Sequence, residues 1–444
     1  MKSKSSFKCT NCGYMSAKWV GKCSNCNEWE TLKEFTQDTK TLKLQSTKAN
    51  VTKLKDIEDG DFKRSTTGIS EFDRTLGGGI VPGSLVLIGG DPGIGKSTLM
   101  LQMCSHLISL KPIYVTGEES AAQIKNRAER ISGVSGELQI SAENSLDSIE
   151  LLLKSDQCGF MIIDSIQSIH LEGISSPAGS MLQVRECTYR LMELAKKLNK
   201  SVFIIGHITK DGAIAGPKSL EHLVDTVLQF EGDNSLHYRI IRTIKNRFGA
   251  VNEIGIFEMS SKGLIEVKDP SGIFISGNKS EEPGIATSAI MEGTRPISVE
   301  IQSLVAETGF SMPQRISTGY DQKRLQILLS ILDKRIGIKF FKSDVFLNVA
   351  GGIHINDPAV DLAVIAALVS SERNSTINPK TIIFGELSLT GEVRPVSFIE
   401  ARLKEAEKTG FTKAIIPDQA IDIKSKMNII KVSRLSLALN NFFN

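Results

Sequence analysis

Apolar residues in this chain fall into short unbroken runs spaced by helix-like stretches. The runs are "LVLIGG" (85–90), "PIYVTGEE" (112–119), "FMIIDS" (160–165) and "SVFIIGH" (201–207), and the stretches between them span 96–109, 120–131 and 177–199. Continuous apolar runs separated by helices predict a mostly parallel sheet covered on both faces. After residue 230 the pattern changes. "LHYRIIRTIKNRFGAVNEIGIFEM" (236–259) alternates, which predicts antiparallel hairpins at one edge. A further set of elements follows residue 285, with strands predicted at 298–305, 345–349 and 381–385 and helices at 357–371 and 398–409.

The chain of 444 residues is too long for one ordinary domain. Its pattern predicts a Cys-rich module at 1–30, a polar Lys/Thr-rich linker at 31–60 and an α/β domain at 61–268. A linker rich in Gly, Ser, Pro and charge follows at 269–284, and a second α/β domain at 285–444. Composition is that of a soluble globular protein, with 41% hydrophobic and 23% charged residues. The net charge of +3 gives no global case for nucleic acid. Residues 1–55 are locally basic, with 11 Lys against four acidic residues, and the plain reading of such an end is a solvated terminus. No apolar run approaches membrane-spanning length. The charged start lacks the apolar core of a secretory signal, so a reducing cytoplasm is expected. There Cys104, Cys158 and Cys187, scattered in apolar segments, read as core fillers.

"GDPGIGKS" fits the phosphate-loop pattern G-x-x-x-x-G-K-[ST], and it follows a strand-like run and opens a helix-like one, as that motif requires. Gly90, Asp91, Pro92, Gly93, Ile94, Gly95, Lys96, Ser97 and Thr98 are the expected ATP-binding residues. Glycines let the backbone approach phosphate oxygens with N–H groups turned inward, and the helix points its positive end at them. Lys96 would neutralise the outer phosphates, and Ser97 would ligate Mg²⁺. The motif needs a carboxylate on a neighbouring strand. Asp164, at the C-terminal end of "FMIIDS", is the candidate for holding Mg²⁺ through water. Glu118 in "YVTGEES" is the candidate for polarising an attacking water, while Glu119 and Ser120 are placed to cap the next helix.

Cys9, Cys12, Cys23 and Cys26 form two C-x₂-C pairs separated by ten residues. Four thiolates complete a tetrahedral structural Zn²⁺ site with no open position. Trp19 and Trp29 beside them are expected to fill the small core of that module, a base-stacking face being the alternative. The segments 165–186 and 207–222 are long Gly-containing loops at the ATP end of the sheet, and Lys210 and Lys218 incline the second toward phosphate binding. In "IKNRFG" Lys245 and Arg247 stand two apart on a strand and so share a face. They suit a neighbouring subunit's γ-phosphate or a DNA phosphate, with a solvated surface hairpin as the plain alternative.

The order phosphate loop, strand with Glu, strand with Asp resembles RecA-type motor ATPases. Taken together, the Cys₄ module, "GGDPGIGKST", "YVTGEES", "GHITKDGAIAGPKSLEHLVDTVLQFEGD" and "KNRFG" resemble the bacterial RadA (Sms) family of DNA repair proteins over nearly the whole chain. "DVFLNVAGG" and "GELSLTGEVRPV" resemble that family's last domain, which is similar to the proteolytic domain of Lon. The resemblance implies a RecA-like core between a zinc ribbon and a Lon-protease-like α/β domain. It implies a hexameric ATP-driven motor that translocates on single-stranded DNA, promotes branch migration of branched intermediates and works with RecA. It also ties Lys96, Lys245 and Arg247 to ATP turnover, the latter two to DNA as well. Where Lon proteolysis requires a Ser nucleophile and a Lys base, this chain aligns Ala359 and Glu400, so no peptidase activity is expected. Lys334, Arg335, Lys339 and Lys342 offer that domain a basic cluster for duplex DNA. The competing functions are an ATP-dependent protease and a RecA-fold ATPase acting on protein.

Overall fold

The computed structural model describes residues 6–35, 53, 63–207, 220–232, 238–269, 271–275, 282–309, 312–422 and 424–443. They form two compact units that meet in sequence at Glu266 and Val267.

The first unit opens with a small antiparallel sheet of β1 (Ser6–Cys9), β2 (Met15–Ser16) and β3 (Leu32–Phe35), in the order β2-β1-β3. Then come α1 (Ser70–Thr75), β4 (Leu85–Gly90), α2 (Lys96–His106), β5 (Pro112–Thr116), α3 (Ala121–Arg130), β6 (Gln139–Ser141), α4 (Leu146–Lys154), β7 (Phe160–Asp164), α5 (Met181–Leu198) and β8 (Ser201–His207). β9 (Thr226–Glu231), β10 (Tyr238–Asn246), β11 (Ile254–Ser260) and β12 (Gly263–Glu266) complete it. These strands make one nine-stranded sheet in the order β12-β11-β10-β9-β4-β8-β7-β5-β6. Strands β9 through β6 in that order run parallel, and β10 to β12 add an antiparallel edge. The period-2 alternation after residue 230 is that edge, where β10 alternates buried with half-buried positions while β11 opens with four buried residues.

The parallel strands are buried on both faces, which is why they read as unbroken apolar runs. Successive residues feed opposite cores. Val86, Ile88 and Tyr114 pack on one side with Phe72, Met100 and Phe203, and Leu85, Leu87, Ile113 and Val115 pack on the other with Leu146 and Leu191. Cys104, Cys158 and Cys187 are buried in these cores as expected. Ser120 and Gln123 form a capping box that starts α3, and Ser180 caps α5, which closes on Asn199 in the left-handed conformation. Three predicted boundaries move, the first being the helix expected to reach 109, which ends at His106. The run 112–119 leaves the sheet at Thr116, and the helix expected from 177 begins at Met181.

The second unit comprises α6 (Ser271–Phe274), β13 (Ile285–Glu292), β14 (Arg295–Glu307), β15 (Arg315–Thr318), α7 (Gln322–Ile331), β16 (Ser343–Val349), α8 (Asp361–Glu372), β17 (Thr381–Ile383), β18 (Glu386–Leu387), β19 (Val393–Arg394), α9 (Ile399–Lys408), β20 (Lys413–Pro417), β21 (Asn428–Val432) and α10 (Leu435–Phe442). Its main sheet is mixed, in the order β15-β16-β14-β13-β17-β20-β21. α8 is buried nearly all round. It starts later than the predicted 357, because Asp357 caps a short tight turn through Pro358–Val360 first. Among the described residues no helix is long and apolar enough to cross a membrane.

Candidate functional site

Parallel register brings the C-terminal ends of β4, β8, β7 and β5 to one edge of the sheet, where Gly90 pairs with His207 and Thr116 with Asp164. A cavity of about 350 Å³ opens there, lined by Gly93, Gly95, Lys96, Ser97, Thr98, Thr116, Glu118, Glu119, Arg127, Asp164, His207 and Met259. The expected phosphate-loop residues, Asp164 and Glu118 are thus brought together from three strands. The loop needs its glycines. Gly90 has φ 150° and a Cβ there would meet Phe230 at 2.8 Å, and Gly95, at φ 119°, precedes the helix without a side-chain cap, leaving the first amides of α2 open.

Lys96 is 3% exposed, and its Nζ donates to Gly90 O and Asp91 O, both at 2.8 Å. Burial pushes its ammonium down to about 8, against the opposing charges of Asp164, Asp91 and Glu118. Glu118 lies in the turn after β5, which is tied by Thr116 Oγ1 donating to Glu119 O at 2.9 Å. Ser165 Oγ donates to Glu118 Oε1 at 2.5 Å, and His207 Nε2 stands 4.0 Å from the same oxygen. Burial, then the Lys96 charge, hold His207 below its ordinary range, so it is neutral at neutral pH. Tyr114 Oη donates to Asp164 Oδ2 at 2.5 Å. Arg127 on α3 bonds to Glu119 at the cavity mouth. Tyr114, Arg127, Ser165 and His207 carry no motif of their own. Only His207 had a visible signal, a polar residue closing the apolar run of β8 just as Asp164 closes β7.

The cavity suits a nucleotide with its metal. A buried ammonium and an uncapped helix start face a polar space, and a hydroxyl (Ser97) and a carboxylate (Asp164) line it as oxygen donors of the kind Mg²⁺ takes.

Lys245 and Arg247 are elsewhere. In the sheet register Lys245 lies opposite Val227, which pairs with Leu87, and Arg247 N donates to Asp225 O level with Leu85. That is the N-terminal half of β4, roughly 10 Å along the strand from Gly90 for Lys245 and roughly 16 Å for Arg247. Both charges point the same way, toward the segment before β9. Lys245 Nζ donates to Glu221 O at 2.6 Å and Val224 O at 2.8 Å, and Arg247 Nη1 lies 3.2 Å from Asp225 Oδ1. Neither lines the cavity of its own chain, so the expected catalytic pair does not join Lys96 and Glu118 within one chain. Lys210 and Lys218 lie outside the described residues.

The four N-terminal cysteines converge, with all Sγ atoms within 4.8 Å of one another. Cys9 Sγ is 3.7 Å from Cys26 Sγ, and Cys12 Sγ is 3.6 Å from Cys23 Sγ. A tetrahedron of Zn–S bonds of about 2.3 Å requires about 3.8 Å between sulfurs, which is close to the spacing of these two pairs, so the set fits zinc. Burial raises the Cys9 thiol, but the Thr31 hydroxyl and the Cys12 and Asn11 amides outweigh it and bring it to about 6. The expected core role for the two tryptophans is corrected. Trp19 is 57% and Trp29 69% exposed, because the four sulfurs with Leu32 and Phe7 already fill the module's interior. The loop after Asp164 is not free either. Gln183 Nε2 donates to Leu171 O, Ile174 O and Ser176 O, and Ser176 Oγ donates to Thr10 O in the cysteine module.

In the second unit Ala359 is buried, and Glu400 Oε1 accepts from Asp422 N at 2.9 Å. Fully buried Arg402 donates to Asp357 Oδ2 at 2.6 Å and Ser397 O at 3.0 Å. Lys334, Arg335, Lys339 and Lys342 are all exposed.

Three family models match parts of the chain. Residues 7–34 match a rubredoxin metal-binding domain, residues 65–152 the KaiC ATPase, and residues 320–420 the ChlI subunit of Mg-chelatase. The chain is 46% identical to a DNA repair protein RadA of Halalkalibacterium halodurans, over 99% of this chain and 98% of that one. It is 45% identical to a protein of the same name from Streptococcus pyogenes serotype M1, over 100% and 99%, and 44% identical to that of Bacillus subtilis, over 99% and 98%.

Proposed function

Because the chain belongs to the RadA family of DNA repair proteins, we propose that it is a DNA-dependent ATPase that moves along single-stranded DNA and drives branch migration of recombination intermediates with RecA. The observation that carries the ATPase is one cavity lined by Lys96, Ser97, Glu118 and Asp164 at the C-terminal edge of a parallel sheet. In this reading Lys96 and the amides opening α2 bind and orient the phosphates. Ser97 and Asp164 hold Mg²⁺, which when bound neutralises phosphate charge. Glu118, oriented by Ser165, takes the proton from an attacking water.

Lys245 and Arg247 act on a neighbouring copy's nucleotide or on DNA, since they stand at the far end of their own sheet. That role requires assembly into a ring, for which a homo-hexamer is proposed, working in the cytoplasm. The C-terminal unit cleaves no peptides, because Ala359 and Glu400 offer neither nucleophile nor base. Its exposed Lys334, Arg335, Lys339 and Lys342 serve duplex DNA.

The test is steady-state ATP hydrolysis with and without single-stranded DNA, for the full chain and its Lys96→Ala, Glu118→Gln and Lys245→Ala variants. DNA stimulation is expected in the parent, none in the first, retained nucleotide binding without turnover in the second, and impaired stimulation in the third. Turnover indifferent to DNA would overturn the motor.

A further inference from the structure

Tyr114 is a large side chain that reaches from the sheet interior to Asp164 at the cavity's edge. It sits mid-strand in β5, two residues before Thr116, and Thr116 pairs with Asp164 on β7. Two residues of strand rise are roughly 6.6 Å, about the span a tyrosine ring covers and a serine or threonine does not. The ring packs in the core with Leu99, Met100 and Phe203 and is fully buried. That packing accounts for an aromatic ring and not for its hydroxyl. The hydroxyl donates to Asp164 Oδ2 at 2.5 Å. It therefore touches the carboxylate whose oxygens are placed for the metal.

We propose that Tyr114 is a positioning residue for the nucleotide's divalent cation, its hydroxyl fixing the Asp164 carboxylate so that Oδ1 is presented to the cavity. The proposal rests on reading this cavity as an ATP site. Asp164 is partly exposed, and without a fixed donor its carboxylate would turn freely in water. Among the described residues Oδ1 takes no hydrogen bond, so one oxygen is held and the other left for a metal-bound water.

The experiment measures binding of a fluorescent ATP analogue to the full chain across a Mg²⁺ titration, for the parent, Tyr114→Phe and Lys96→Ala. Phenylalanine keeps the ring and removes only the hydroxyl. The expected result is metal-free nucleotide affinity within about twofold of the parent, and a Mg²⁺ half-saturation raised by about 10- to 100-fold. Hydrolysis by Tyr114→Phe should recover toward the parent rate at saturating Mg²⁺. An unchanged Mg²⁺ half-saturation would overturn the proposal. Loss of cooperative melting, or an equal fall in metal-free and metal-dependent affinity, would make the hydroxyl a structural group and overturn it too. Failure of the ATP reading looks different, because then the parent binds no nucleotide or Lys96→Ala binds it equally well.

Discussion

Nucleotide binding should drive a proton onto Lys96. In the empty cavity the ammonium is buried and lowered to about 8 from an ordinary 10.5. Phosphate oxygens a few ångströms away favour the charged form and return it to its ordinary range. The free protein then carries a neutral Lys96 in about 0.1 of molecules at pH 7, about 0.5 at pH 8 and about 0.9 at pH 9, and each takes up one proton on binding. Affinity should weaken about tenfold from pH 7 to pH 9, which is about 1.4 kcal/mol. The terminal phosphate, with a second pKa of about 6, is already ionised through this range and contributes little. Calorimetric titration in buffers of different ionisation enthalpy reads the uptake directly. His207 is held below its ordinary range, so uptake by that group would shrink as pH rises. Uptake that is flat or falls between pH 7 and pH 9 would therefore refute the account of Lys96. The same shift has a stability consequence of definite sign. The unfolded chain binds this proton more tightly than the folded one, so the empty protein gains stability as pH rises from about 8 toward 10.5. Below that window the buried charge costs about 3 kcal/mol, which bound nucleotide offsets.

Two further outcomes are expected. Asp361 is fully buried and accepts from Arg324, from Tyr320 Oη at 2.7 Å and from Leu387 N at 3.0 Å, so Asp361→Ala leaves an uncompensated guanidinium and should cost about 3–5 kcal/mol. Urea unfolding followed by circular dichroism measures it, and a loss below about 1 kcal/mol would mean that solvent screens the pair. The protein should hold one zinc per chain, and since both tryptophans of the sequence lie in the cysteine module, chelation should change tryptophan emission as that module loses its metal. Release of zinc with unaltered emission would show that the module folds without it.

Contiguous features needed only the sequence. The phosphate loop is legible because its backbone conformation is local and glycine-dependent, and the four cysteines because two short knuckles suffice to bring thiolates together. The strands β4, β5, β7 and β8 announce themselves because burial on both faces removes polar residues from them. Other elements did not. β6 has three residues, mostly outside the core, and α4 carries an apolar run no longer than a strand, so neither stands out from its neighbours. β13 and β20 gain their partners only within a mixed sheet.

Strand order decided the rest. Tyr114 and Asp164 are 50 residues apart, and Glu118 and Ser165 are 47 apart, and they meet because β5 lies beside β7. The same order puts Lys245 and Arg247 at the opposite end from Lys96, a fact that their spacing of two residues does not contain. Trp19 and Trp29 read as core from composition alone, and only the packing of four sulfurs with Leu32 leaves them in solvent. A motif whose atoms are neighbours in the chain is fixed by local backbone preference. A contact between distant strands depends on how the whole sheet is ordered, and that order is a property of the folded chain.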